Sequence, residues 1–489
     1  MLPLLRIGRG RLAAVLALAL VAPLAQAVYL NPRGQGQVLI YPYYTANAGY
    51  NTLLSLVNDS AQAKALKLRF HEGHNGRVVF SANLYLAPRD VWTGGVFAAA
   101  DGRAALVTDD NSCAVPDLRN APGLPELPDG RSYTPFSTAD YSGARADGGP
   151  ADAARTREGH IEVIEMGKLS GSSADAVVFT SNGGRLHPAA CARLIDAWRP
   201  DGYWVANAAT DLAAPGGGLY GNATIVDVAE GLVFSMPATA LDGFSVRSQH
   251  SAPESAHPNL ADAVSDAASG AATAQVSLGT RTVSATYPAA RAIDAVSAVL
   301  ATAYSDGESV WSHNSDVLTE WVLAAPTKRF YVDPTLQNAG LGGAPFQARN
   351  GDQSGGRACQ QYPGRYSIIR NDRSTDTTAE FSAPAPQQTL CYDTTVLAVG
   401  GPNLGTQSPV LGSRTQDVVG AFEEGTVSLQ WSAGATAPAQ NGESFRGLPV
   451  IGWQLVNYFN GNVGALMSNY SAVTPLRGDA VCTRNGADC

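Results

Sequence analysis

The sequence predicts an all-β protein: two or more antiparallel β-sandwich units with a few connecting helices. Three observations predict it. Leu66, Leu68 and Phe70 alternate with Lys67, Arg69 and His71, a period of two that sends one set of side chains to a core and the other toward water. Turn formers separate apolar runs at short intervals, as in Asn58-Asp59-Ser60, His74-Asn75-Gly76 and Asn460-Gly461. No internal repeat at a period of about 20–50 residues is visible, which disfavours a solenoid or a propeller.

The chain organises itself around residues 36–97. Residues 52–57 (TLLSLV) form a continuous apolar run, as expected of a strand covered on both faces. Residues 65–71 alternate, and residues 78–86 resume strand character until Pro88, which cannot donate to a ladder. Strand, turn, strand, turn, strand is a meander. Its wet and dry faces make 28–115 an immunoglobulin-like sandwich, although the Cys and Trp spacing of antibody domains is absent.

Residues 116–156 are rich in Pro, Gly, Asp and Ala and read as a linker or exposed loop. A β-rich domain with short helices follows at 157–345. It starts with strands at 160–168 and 177–180. The helix at 187–198 places Cys191, Leu194, Ile195 and Trp198 on one face. Strand resumes at 203–206, then a hairpin at 222–234 turns on Glu230-Gly231. Residues 248–275 carry no durable pattern and read as an exposed excursion. Residues 288–303 are helical by composition, with a strand at 296–301 as the alternative. Residues 319–332 read as two strands split at Pro326. The C-terminal region, 346–489, has strands at 366–370, 388–398 and 426–431. It ends in a hairpin, 450–459 and 463–470 about Asn460-Gly461, and a small disulfide loop.

Residues 1–27 have the form of a signal peptide: Arg6, Arg9 and Arg11, an apolar run, then Ala25-Gln26-Ala27 as a cleavage site. No later run reaches roughly 20 apolar residues, so no membrane span is expected after the signal is removed. Localisation is expected to be secreted or periplasmic, with cell-surface association one outcome. Loss of three arginines from a segment without acids takes the net charge from −9 to −12. An acidic chain lacks the basic footprint that nucleic acid requires. Only Lys64, Lys67, Lys168 and Lys328 are lysines, which reads as coding bias toward arginine.

Six cysteines in an oxidising compartment predict disulfides. Cys482 and Cys489 enclose an Asn485-Gly486 turn. Cys359 with Cys391 would tie a loop to a strand, leaving Cys113 with Cys191. No paired Cys/His spacing suits zinc, and no metal or cofactor is expected.

Motifs with catalytic overtones fail on context. His71-Glu72-Gly73-His74 spaces its histidines by three at a strand end, where a zinc-protease helix needs four. Gly216, Gly218 and Gly221 satisfy G-x-G-x-x-G, but a loop precedes them and a strand follows. Gly351-Asp352-Gln353-Ser354-Gly355-Gly356 is a serine-protease loop spoiled by an inserted glutamine. Asp109-Asp110-Asn111 and Asp306-Gly307-Glu308 read as solvated acidic turns, too poor in oxygens for calcium. No catalytic residue is assigned. Tyr41, Tyr43, Tyr44, Tyr50 and Tyr85 cluster in or beside the first sheet and are the candidate contact surface, with core packing as the alternative.

Residues 51–97, with GGLYGNATIVDV at 217–228, PTKRFYVD at 326–333 and LPVIGWQLVNYFNGNV at 448–463, resemble a set of uncharacterised secreted proteins of Gram-negative bacteria. More loosely, the first block is similar to immunoglobulin-like modules of periplasmic chaperones and surface proteins, a likeness that implies fold alone. The expectation is an exported, non-enzymatic surface or matrix protein, structural or adhesive, whose partner is a protein or a second copy joined by strand addition. The alternatives are a secreted carbohydrate-active or other hydrolase, drawing on Glu162, Glu165, Asp227 or Glu230, and a periplasmic chaperone-like binding module.

Overall fold

A computed structural model describes residues 26–310 and 317–489, apart from 334, 337–343, 347–359, 363–367, 373–376, 382–387, 400–405, 420–423, 432–433 and 465. The chain is all-β, in several antiparallel sheets with short helices on the connections. Among the described residues no helix is long and apolar enough to cross a membrane.

Two large sheets face each other in the N-terminal half. The first runs, in spatial order, Tyr29–Leu30, Thr239–Asp242, Val38–Thr45, Glu158–Leu169, Lys64–Glu72, Val78–Leu86 and Cys113–Val115. The second runs Leu232–Pro237, Leu219–Asp227, Asn51–Asn58, Val91–Ala98, Ala104–Val107 and Tyr133–Pro135. Leu39, Tyr41, Leu66, Leu68 and Phe70 of the first interleave with Leu54, Leu56, Trp92 and Val96 of the second in one core. The central strand of the first sheet, Glu158–Leu169, lies between Val38–Thr45 and Lys64–Glu72. The preceding 116–156 segment is no exposed linker, since Tyr133–Pro135 joins the second sheet and Leu118, Phe136 and Tyr141 enter the core. The 28–115 segment therefore does not close a sandwich by itself, and the boundaries expected at 115 and 157 do not separate two sheets.

The C-terminal half contributes a five-stranded sheet ordered Gln416–Val419, Thr394–Val399, Val317–Ala324, Ile451–Tyr458, Tyr470–Pro475. Its edge strand Tyr470–Pro475 meets the edge strand Leu232–Pro237 of the N-terminal half. Ser471 Oγ accepts from the Val233 N–H at 3.2 Å and donates to the Val233 carbonyl at 2.5 Å. A polar side chain thus covers two edges that could otherwise each accept a foreign strand.

Several local expectations are corrected. Residues 203–206 and the second half of 319–332 are helical, as Tyr203–Ala206 and Arg329–Val332. The helix expected over 187–198 is confined to Cys191–Asp196, because Arg185–Pro188 pairs with Phe179–Asn182. The acidic triplet 306–308 is not a turn but lies in the strand Tyr304–Val310. Ile451–Tyr458 pairs with Tyr470–Pro475, and a small separate hairpin, Asn462–Val463 with Leu466–Met467, occupies the interval beyond Asn460-Gly461.

The largest correction concerns Lys67, Arg69 and His71. They face away from the sandwich core as the alternation requires, yet all three are buried. The segment expected to be an exposed excursion lies over them. Lys67 Nζ donates to the carbonyls of Ala252 and Pro253 at 2.6 and 3.3 Å, and Arg69 donates to those of Ser255 and Pro258. Backbone carbonyls of a covering loop accept the hydrogen bonds of Lys67 and Arg69.

Cys113 is bonded to Cys191, and Cys482 to Cys489. The pairing expected for Cys391 involves Cys359, which lies outside the described residues, as does the 351–356 loop.

Candidate functional site

Antiparallel register places His160 directly opposite His71, and Glu162 two residues along on the same face. The two imidazoles stack, 4.7 Å apart and parallel within 3°. Glu162 spans both rings: His71 Nε2 lies 3.2 Å from one carboxylate oxygen and His160 Nε2 3.5 Å from the other. Asp393, from the turn entering Thr394–Val399, approaches His160 Nδ1 at 2.9 Å. His71 Nδ1 lies 3.0 Å from the Gly76 carbonyl, and Arg329 Nη1 reaches both that carbonyl and His71 Nδ1.

Neighbouring elements hold this centre in place. Asp393 N donates to His74 O, and Thr394 N to Gly73 O. Lys328 Nζ donates to the carbonyls of Cys391 and Tyr392. Gly76 (φ +68°) permits the approach of Asp393, since a Cβ there would lie 2.8 Å from Asp393 Oδ1.

Burial and charge oppose each other here. Burial alone would lower the His160 pKa, but Asp393 and Glu162 outweigh it and push it up to about 9. Burial would raise Glu162, yet the two histidines hold it well below the usual carboxylate range. His71 goes down, because burial prevails over its contact with Glu162.

His71 also lines a cavity of about 450 Å³ together with Arg69, Arg77, Arg145 and Arg329. Arg77 is neutralised by Asp147 and Asp333, and Arg145 by Asp140. Arg69 and Arg329 have no carboxylate in salt-bridge contact among the described residues. Arg329 Nε, in a side chain that is almost fully buried, has no hydrogen-bond partner among the described residues. The lining thus carries four arginines against the carboxylates of Asp140 and Glu254.

A second cavity, of about 1120 Å³, adjoins the first, and Ser81 and Glu254 line both. Trp198, Trp204, Ile195, Val205 and Pro253 form an apolar wall, and Asp117, Asn120, Arg199 and Glu254 also line the cavity. Trp204 is backed by Tyr85, stacked at 5.2 Å, and by His250 at 4.5 Å, while Trp198 Nε1 donates to Tyr85 Oη at 2.8 Å.

His250 makes this wall pH-sensitive. Burial lowers its pKa from 6.5 to about 4. The unfolded chain therefore binds the proton first, and stability is lost as the pH falls from 6.5 toward 4, by up to about 1.4 kcal/mol per unit. His250→Asn is expected to flatten that acid limb, read as urea midpoints at intervals across this range.

The structure does not make a contact face of Tyr41, Tyr43, Tyr44, Tyr50 and Tyr85: all five are buried. Tyr41 donates to the Ser55 carbonyl, Tyr43 to Glu158 and Tyr44 to the Thr156 carbonyl, so each ring fills the core while its hydroxyl is satisfied. Only Tyr85 approaches the cleft, behind the tryptophans. The carboxylates considered for hydrolysis go to other work. Glu165 pairs with Lys64 at 2.7 Å, Glu162 with the histidines, and Asp227 accepts the N–H groups of Ala229 and Glu230.

Sequence reasoning set His71 aside together with His74, because their mutual spacing suits no metal. The partners of His71 are instead His160 and Glu162, and their only local signal is an i, i+2 pair on one strand face. The chain matches no family model, no curated protein and no solved structure.

Proposed function

We propose that this chain is an exported, non-enzymatic binding protein, acting in the periplasm or at the cell surface, and that its ligand is a small amphipathic anion. The apolar body of the ligand lies against Trp198, Trp204 and Ile195, and its anionic head meets Arg329 and Arg69. The observation that carries this reading is the pair of guanidinium groups, Arg69 and Arg329, that line the cavity with no carboxylate in salt-bridge contact among the described residues. A buried cation left to backbone carbonyls gains strongly from an incoming carboxylate, sulfonate or phosphate. The signal-like segment at 1–27 and the cysteine pairs support the exported setting.

Anilinonaphthalene sulfonate, an aromatic body with one anionic head, is the probe. Saturable binding at one site is expected. Arg329→Met is expected to weaken it by about tenfold or more, as for a lost charge-assisted contact. Binding of the neutral N-phenylnaphthylamine should change by less than about twofold, because its contacts lie at the aromatic end. Equal losses for both probes in a variant with native near-ultraviolet dichroism would refute the charge-based reading.

A further inference from the structure

We propose that His71, His160 and Glu162 form a binding site for one divalent transition-metal ion of the zinc class. One nitrogen or oxygen from each residue lies within 4.8 Å of the others, and all three side chains are buried. The Nε2–carboxylate separations of 3.2 and 3.5 Å are close to the edge of a tetrahedron with metal–ligand bonds of about 2.0–2.1 Å.

Three features distinguish this arrangement from an ordinary buried ion pair. Neither Nε2 atom, nor either oxygen of Glu162, has an aligned hydrogen bond. Buried polar atoms are rarely left in that condition, so four together in one place point to a missing partner. His160 also has its other nitrogen beside an acceptor, Nδ1 lying 2.9 Å from Asp393, whereas His71 Nδ1 lies between the Gly76 carbonyl and the Arg329 Nη1 donor. The Asp393 contact is the outer-shell arrangement that fixes a tautomer and presents Nε2 of His160 to a metal. Finally, Glu162 and Asp393 bring two carboxylates to the centre, with Arg69 directly across the strands from Glu162 and Arg329 beside His71 as the neighbouring cations.

Two imidazoles and a carboxylate suit zinc, cobalt or nickel, whereas calcium and magnesium require mostly oxygen ligands. Because the rings stack parallel, capture requires His71 to rotate about its Cβ–Cγ bond and leave its Gly76 and Arg329 contacts, while His160 keeps Asp393. His71 lines the smaller cavity, which supplies a route of entry. Arg329 beside His71 Nδ1 opposes the ion's charge, which makes the carboxylate pair indispensable.

The test uses the tag-free, full-length exported protein, treated with chelator and titrated with cobalt(II). One equivalent should bind, with visible ligand-field bands of a low-coordinate nitrogen–oxygen site that zinc then abolishes. Glu162→Gln should weaken binding at least about 100-fold and Asp393→Asn about tenfold, in line with losses of ligand and outer-shell partners. His187→Ala, far along the chain in the Arg185–Pro188 strand, should leave it unchanged. Absence of saturable bands in the wild-type protein overturns the proposal, whatever the variants do. So does unaltered cobalt affinity in a folded Glu162→Gln protein.

Discussion

Glu72→Ala is expected to cost about 3–5 kcal/mol of stability, as when one partner of a buried ion pair is removed. Glu72 and Arg155 are both fully buried, joined by two hydrogen bonds of 2.8 and 3.0 Å. The same carboxylate accepts the N–H groups of His74, Asn75 and Arg77 at 2.8–3.0 Å. Alanine would strand a guanidinium and three backbone donors at once, with Asp147 left as the main counter-charge of Arg155. The turn so held carries the Gly76 carbonyl that His71 and Arg329 share, so the cleft should loosen with it. Burial would raise the Glu72 pKa, but Arg155 and the turn donors outweigh it and hold it below 4.5. The contribution is therefore present above about pH 4.5 and lost as the pH falls through the lowered value. Urea unfolding should show a large deficit near neutrality that narrows in acid. A deficit independent of pH would contradict this account.

Lys64→Met is the second large effect, again about 3–5 kcal/mol. Lys64 Nζ donates to Glu165 at 2.7 Å, and neither side chain is exposed. Glu165 also accepts the N–H groups of Gly216 and Gly217, and so pins the glycine turn that resembled a nucleotide loop. Burial already raises the Glu165 pKa against the opposing pull of Lys64. Without the lysine it rises further, so the folded protein holds its proton to higher pH and stability falls as the pH rises. The deficit of Lys64→Met, measured by urea midpoints, should thus be smaller at pH values near 5 than near 8. It narrows in acid as that of Glu72→Ala does, but at higher pH, because the Glu165 pKa is raised and the Glu72 pKa lowered.

The strand character of residues 65–71 was legible because alternation is local. Which medium met the second face was not, because the cover arrives from residues 185 or more positions away. Residues 38–44 carried a signal that a contact-surface reading overlooks. VLIYPYY has no polar alternation, and the strand Val38–Thr45 is accordingly buried on both faces. The scarcity of lysine was also informative. In a chain that uses arginine almost everywhere, Lys64, Lys67 and Lys328 are buried and clasp Glu165 or backbone carbonyls. A compact ammonium with three donors fits such sites better than a planar guanidinium. The histidine centre could not be assembled in advance, since its four side chains come from three distant segments.

Hydrogen–deuterium exchange of the full chain, with and without anilinonaphthalene sulfonate, tests the central claim most directly. Protection is expected at both ends of the cleft: in Cys191–Asp196 and Tyr203–Ala206 beside the tryptophans, in the 252–256 loop, and in Arg329–Val332. Protection confined to the exposed apolar strip of Leu466, Met467 and Tyr470, with none at these segments, would contradict it.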